Sequence, residues 1–124
     1  MNVTVAGKEY PIAYTVEAQN KVAEKAGGLD RIKDLLGSEQ LSNITMLHIM
    51  IEAADRRNRA LAKMDGEEYS SQEIPTEEDL QDLILMGEMR GIVKAIGDAM
   101  REGGKSEVEI LPEKGKKTKA TLSE

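Results

Sequence analysis

The chain has 124 residues, 23 acidic side chains against 17 basic ones and a formal net charge of −6; that size fits one domain, and that balance argues against a surface that tracks nucleic-acid phosphates. Phe, Trp and Cys are absent, so Tyr10, Tyr14 and Tyr69 are the only aromatics, base-stacking platforms have no material, and disulfides and thiolate metal sites are excluded. No run approaches the roughly 20 apolar residues of a membrane span, and the N-terminus lacks the basic-then-apolar pattern of a secretory signal, so a soluble cytoplasmic chain is expected.

Residues 2–14 alternate with the two-residue period of half-buried strands, Val3 and Val5 and then Tyr10, Ile12 and Tyr14, around Ala6-Gly7-Lys8. This predicts a β-hairpin, and Pro11, which has no amide proton, places the second strand at an edge or leaves its amide side unpaired. Thr15 is a suitable N-cap for a helix carrying Val22, Ala23 and Ala26 that ends at Gly27-Gly28. A short second helix should bury Leu29, Ile32, Leu35 and Leu36, stop at Gly37, and hand over to a long helix opened by Ser38 or Ser42.

That long helix carries apolar residues on two opposed faces. At 3.6 residues per turn, Ile44, Leu47, Ile51 and Ala54 form one stripe and Met46, Ile49, Met50 and Ala53 the other, leaving Thr45, His48, Glu52 and Asp55 as a narrow polar strip. Such a helix is either central to its domain or shared with a partner. Beyond Asp55 the character changes: Glu52 precedes Arg56 by one turn and Asp55 precedes Arg59 likewise, the spacing of ion pairs on a solvated face. Asp65-Gly66 ends the helix, and a polar loop closes on Ile74-Pro75.

Thr76-Glu77-Glu78-Asp79 reads as a capping-box start for another helix. It should turn Leu80, Leu83 and Ile84 inward, continue past Gly87 and Gly91, and present Met89, Ile92, Val93, Ile96, Ala99 and Met100 as a stripe opposite Arg90, Lys94, Asp98 and Arg101. Gly103-Gly104 ends it. Ser106 to Leu111 alternates weakly and could add a strand to the hairpin, Pro112 closes that option, and the lysine-rich remainder should be mobile when unbound.

No catalytic, cofactor or metal constellation emerges. His48 is the only imidazole and sits on the polar strip one turn before Glu52, which a helix surface explains; one His makes no usual zinc site and no triad with a second base. Gly104-Lys105-Ser106 copies the end of a phosphate-binding loop, but Ala99 stands where its first glycine belongs. The acids around Gly66 lack calcium-loop spacing, and scattered carboxylates without a pocket read as ordinary surface. An enzyme would need a pocket of perturbed titratable groups, for which the sequence offers no candidate.

The order of elements, with Gly7-Lys8-Glu9-Tyr10 in the hairpin, the Pro75-Thr76-Glu77-Glu78-Asp79-Leu80 helix opening, the terminal Ile92-Val93-Lys94-Ala95-Ile96 helix and a lysine-rich tail, resembles the small tail assembly chaperones of long-tailed phages and Gram-positive prophages. The resemblance covers most of the chain. It implies a non-enzyme without cofactors, working in the cytoplasm of the bacterial host and absent from the mature virion. Its implied partners are the tape measure protein and tail tube subunits; a homo-oligomer that binds neither nucleic acid nor membrane is expected beside this from the two-sided helix, the charge and the hydropathy. The first half is also similar to the ZapA family of bacterial division-ring accessory proteins, which crosslink filaments; there the C-terminal half should be one coiled coil, which Gly66, Pro75, Gly87, Gly91 and Gly97 interrupt.

The expectation is therefore an α+β, mainly α domain over residues 1–104, with a hairpin in 2–14 and four or five helices in 15–104, followed by a possible strand and flexible tail in 105–124. Its expected contact face is Met46, Ile49, Met50 and Ala53, with Met89, Ile92, Val93 and Ile96 as a second.

Overall fold

The computed structural model describes residues 1–35 and 40–104. Leu36, Gly37, the Ser38 cap, the 106–111 strand and the lysine-rich tail lie outside the described residues.

Strands β1 (Asn2–Val5) and β2 (Lys8–Pro11) pair antiparallel, with Val3 opposite Tyr10 and Asn2 opposite Pro11. The two-residue turn between them has Ala6 at φ 51° and Gly7 at φ 82°. Two successive positive φ values give the hairpin turn whose twist matches the strands, and Ala6 adopts it against the steric preference of its own Cβ. Val3, Val5, Tyr10 and Ile12 turn inward from one face of the ribbon.

Helix α1 (Val16–Ala26) starts where the Thr15 hydroxyl accepts the Ala18 amide at 3.1 Å, and ends at Gly27 in the left-handed region. A 3₁₀ turn, Leu29–Arg31, leads into the short α2 (Ile32–Leu35). Ile32 is buried, but Leu29 faces solvent, contrary to the inward position expected of it, because the tight turn after Gly28 starts a new rotation of side chains.

The long helix α3 (Gln40–Met64, 25 residues, about 37 Å) is the axis of the molecule. It touches α1, β2, α4 (Glu77–Leu83) and α5 (Met89–Gly103), and these neighbours surround its first half. Both of its apolar stripes are consequently buried, as are Val22 of α1, Leu80 of α4 and Ile96 of α5 in the same core. Beyond Asp55 the helix runs in solvent, tied by the Arg56–Glu52 and Arg59–Asp55 pairs at 3.8 and 3.2 Å. The fold is α+β and mainly α.

The helix expected from Thr76 onward is two helices. Thr76 and Asp79 form the capping box, each side chain accepting the other residue's amide, but α4 ends at Leu83. Residues 84 and 85 are extended, a 3₁₀ turn (Met86–Glu88) follows, and α5 then begins. Glu88 enforces the break, since its carboxylate accepts the Leu85 amide at 2.8 Å and caps a new start. The chain leaves the helix after Leu83, so Ile84 turns inward and is buried while Leu83, the last helical residue and expected inside, is 42 % exposed.

Candidate functional site

The faces expected to meet a partner lie inside the subunit. Met46 and Met50 are fully buried, Ile49 and Ala53 nearly so, and on α5 Met89, Ile92 and Ile96 are buried with Val93 half-buried. The correction has a simple cause. A helix greasy on both flanks satisfies two neighbours as readily in its own domain as across an interface, and here α1 and β2 together with α4 and α5 supply them. Seven of these eight residues build the core, and only Val93 keeps part of its surface.

The polar strip of α3 is a line of ties. His48 Nε2 lies 3.7 Å from Glu52, and Arg56 bridges from Glu52 to Glu17 of α1 at 3.0 Å. One turn further, the Asp55 carboxylate accepts from Tyr69 Oη at 2.8 Å, Ser71 Oγ at 3.1 Å and Arg59 Nη2 at 3.2 Å, and Arg59 also donates to Ser71 and stacks over the Tyr69 ring. The bond to Asp55 pushes the Tyr69 phenol above its ordinary value, with desolvation adding to it. This cluster holds the 65–76 loop along α3, and Gln72 extends the seam by donating to the Glu9 carbonyl at 3.1 Å. Such an arrangement positions the backbone of the loop against α3.

A cleft of about 450 Å³ opens between the end of the hairpin and the end of α5. Met1, Tyr14, Val16, Arg57, Ala99 and Glu102 line it. Burial raises the Tyr14 phenol, which makes it a neutral donor rather than an acid, and Gly103 packs directly on the Tyr14 backbone. The lining mixes the Arg57 cation, the Glu102 carboxylate, the Tyr14 and Thr15 side chains and apolar groups.

The surface feature that sequence reasoning missed is the corner between α4 and α5. Leu83, Leu85 and Met86 are 42, 68 and 69 % exposed within four consecutive positions. The corner is held from beneath: Ile84 is buried and its amide bonds the Leu80 carbonyl at 3.0 Å, while the Leu85 carbonyl accepts the Glu88 amide at 2.8 Å. The segment that carries it is acidic in sequence, with Arg90 in the first turn of α5 as the nearest base. Between Lys63 and Arg90 the chain has nine acidic residues and no basic one, so this stretch accounts for more than the whole net charge of −6. The signal was legible in part, because an unbroken Leu83-Ile84-Leu85-Met86 run cannot all fit one face of a helix.

Among the described residues no helix is long and apolar enough to cross a membrane, and no three metal-ligating side chains gather. No protein-family model, curated protein or solved structure matches the chain.

Proposed function

We propose that this chain is a non-catalytic assembly chaperone of a long phage tail, binding the tape measure protein and assisting recruitment of tail tube subunits in the host cytoplasm without remaining in the mature virion. The observation that carries the reading is the braced apolar corner at Leu83, Leu85 and Met86 on an acidic flank, a surface suited to gripping another chain. The element order behind the resemblance supports it: a tight Gly7-containing hairpin, a capped helix start at Thr76 and a final amphipathic helix through Ile92 and Ile96. The division-ring alternative is less well supported, because residues 65–104 form a loop and two short helices folded back on α3, where that family needs a continuous coiled coil.

Co-expression of the chain with the tape measure and tail tube proteins encoded beside it tests the reading. Stable co-purification of the tape measure protein is the expected result. A folded chain that binds neither protein overturns it, and a mass in solution that rises with concentration through filament crosslinking favours the division-ring alternative.

A further inference from the structure

We propose that the corner formed by Leu83, Leu85 and Met86 is the docking site for a cationic amphipathic helix of a partner chain, whose apolar stripe covers the three side chains while its lysines or arginines face the acids around them. The assignment deepens the reading above by locating the contact, and rests on its claim that the chain works by binding.

Three observations fix the chemistry of the occupant. First, the corner offers side chains rather than backbone. The Ile84 and Leu85 amides and the Leu85 carbonyl are already bonded within the chain, so an added strand would find no ladder there, whereas an apolar helix stripe needs none. Second, the rim is acidic. Asp79 lies one helical turn before Leu83, Asp82 precedes it directly, and the Glu88 carboxylate sits against the Leu85 amide. A basic flank is attracted and oriented by that rim, and an acidic one is repelled. Third, a second copy fits poorly. A two-fold interface places the same patch on both sides, which would bring Asp79, Asp82 and Glu88 against their own copies.

The other exposed apolar side chains make weaker candidates. Leu29 stands on its own 3₁₀ turn, Leu61 and Met64 lie at the solvated end of α3, and Met1 and Val16 border a cleft of mixed polarity. None combines adjacency, bracing and acids in the flanking turns.

The test uses the full chain and a fluorescein-labelled synthetic peptide of about 18 residues, five helical turns, built from leucines on one face and lysines on the other. A matched peptide with glutamates in place of the lysines serves as control. Fluorescence anisotropy should show the lysine peptide binding at least about tenfold more tightly than the glutamate peptide. The double variant L85S/M86S, which leaves the charge unchanged, should weaken the lysine peptide about tenfold or more, and Asp82→Asn should flatten the salt dependence. Val16→Ser, at an exposed apolar site elsewhere, should leave the affinity where it was. Matching circular dichroism spectra and melts show that the variants fold.

Equal affinity for wild type and L85S/M86S overturns the assignment, as does equal binding of the two peptides. Failure of the full chain to bind the peptide also overturns it. A dimer abolished by L85S/M86S would make a second copy the occupant and overturn it too. Failure of this site and failure of the phage reading are separable. Tape measure protein retained by L85S/M86S sinks the site alone, and peptide binding without tape measure binding sinks the phage reading alone.

Discussion

One helix provides two glycines at which the same substitution should act with opposite sign. Gly97 lies in the interior of α5, and a Cβ built there meets nothing within 4 Å. Alanine at that position gains about 1 kcal/mol from the reduced backbone entropy of the unfolded chain and the better helix propensity, with nothing to displace. Gly103 is the last residue of the same helix, and a Cβ there would lie 2.5 Å from the Tyr14 carbonyl oxygen and 2.8 Å from the Tyr14 Cβ. Both obstacles are rigidly attached to the backbone, so the end of α5 or the hairpin exit must move, which costs about 1–3 kcal/mol by the usual measure of overpacking. The propensity gain at a helix end is smaller than in its interior and does not cover that cost. Gly97→Ala should therefore raise the melting temperature by about 4–8 °C, and Gly103→Ala should lower it by at least a similar amount, in a domain of this size. Denaturant unfolding followed by far-UV circular dichroism measures both, with an unchanged m-value showing that the effect is on stability. A stabilising Gly103→Ala would refute the close approach of α5 to Tyr14. A destabilising Gly97→Ala would mean that this part of α5 is packed by something other than the chain itself.

Ile49→Asp places a carboxylate in the core and should abolish folding, seen as loss of the cooperative melt; a folded variant defective only in association would show that this side of α3 is intermolecular after all. Ala6→Asn puts a residue that tolerates positive φ before Gly7 and should stabilise by about 0.5–1 kcal/mol in the same denaturation assay, whereas an unchanged midpoint would argue against the observed turn. Thr76→Ala removes half of the capping box and should cost about 1 kcal/mol, which Thr76→Ser should largely restore. The Tyr69 phenol has its folded value raised above the ordinary 10.0 by donating to Asp55, so its contribution to stability is fully present below that value and is lost as pH rises through the raised one. Stability measured in alkaline solution should fall in that window for the wild type and fall less for Tyr69→Phe; parallel curves would remove Tyr69 from the tie.

Where a local signal and its geometric cause sit in the same few residues, the sequence was a sufficient guide. The hairpin around Gly7, the Thr15 cap, the Gly27 stop, the Asp65-Gly66 end of α3 and the Glu52–Arg56 and Asp55–Arg59 pairs all follow from spacing alone. The break between α4 and α5 was harder, because no proline marks it and Glu88, which enforces it, looks like any other surface acid until its carboxylate is seen on the Leu85 amide. Leu83 was misplaced with it: as the last residue of α4 it loses the cover that a continuing helix would have given it. The two faces of α3 were read correctly as apolar and incorrectly as available. Periodicity states that a side chain needs company and is silent on whose.

That silence decides how interaction surfaces should be sought in small helical domains. Burial is demanded most strongly by the residues with the clearest pattern, so the cleanest stripes, Met46 through Ala53 and Met89 through Ile96, are the first to be consumed by the fold. An interface must be made of apolar residues that the fold has failed to use and has nevertheless fixed in place. Leu85 and Met86 meet both conditions, since the bond from the Leu85 amide to Glu88 and the anchoring of Ile84 hold them outward at little further cost in ordering when a partner arrives. The same Glu88 carboxylate that breaks the helix also contributes to the acidic rim. Replacing it with glutamine should keep the break, because the side-chain oxygen still accepts the Leu85 amide, while weakening attraction for a cationic helix. Replacing it with alanine should lose both. Peptide affinity that falls at Glu88→Ala but not at Glu88→Gln would therefore assign the residue to shaping the corner alone, and a graded loss across the two would assign it to charge as well.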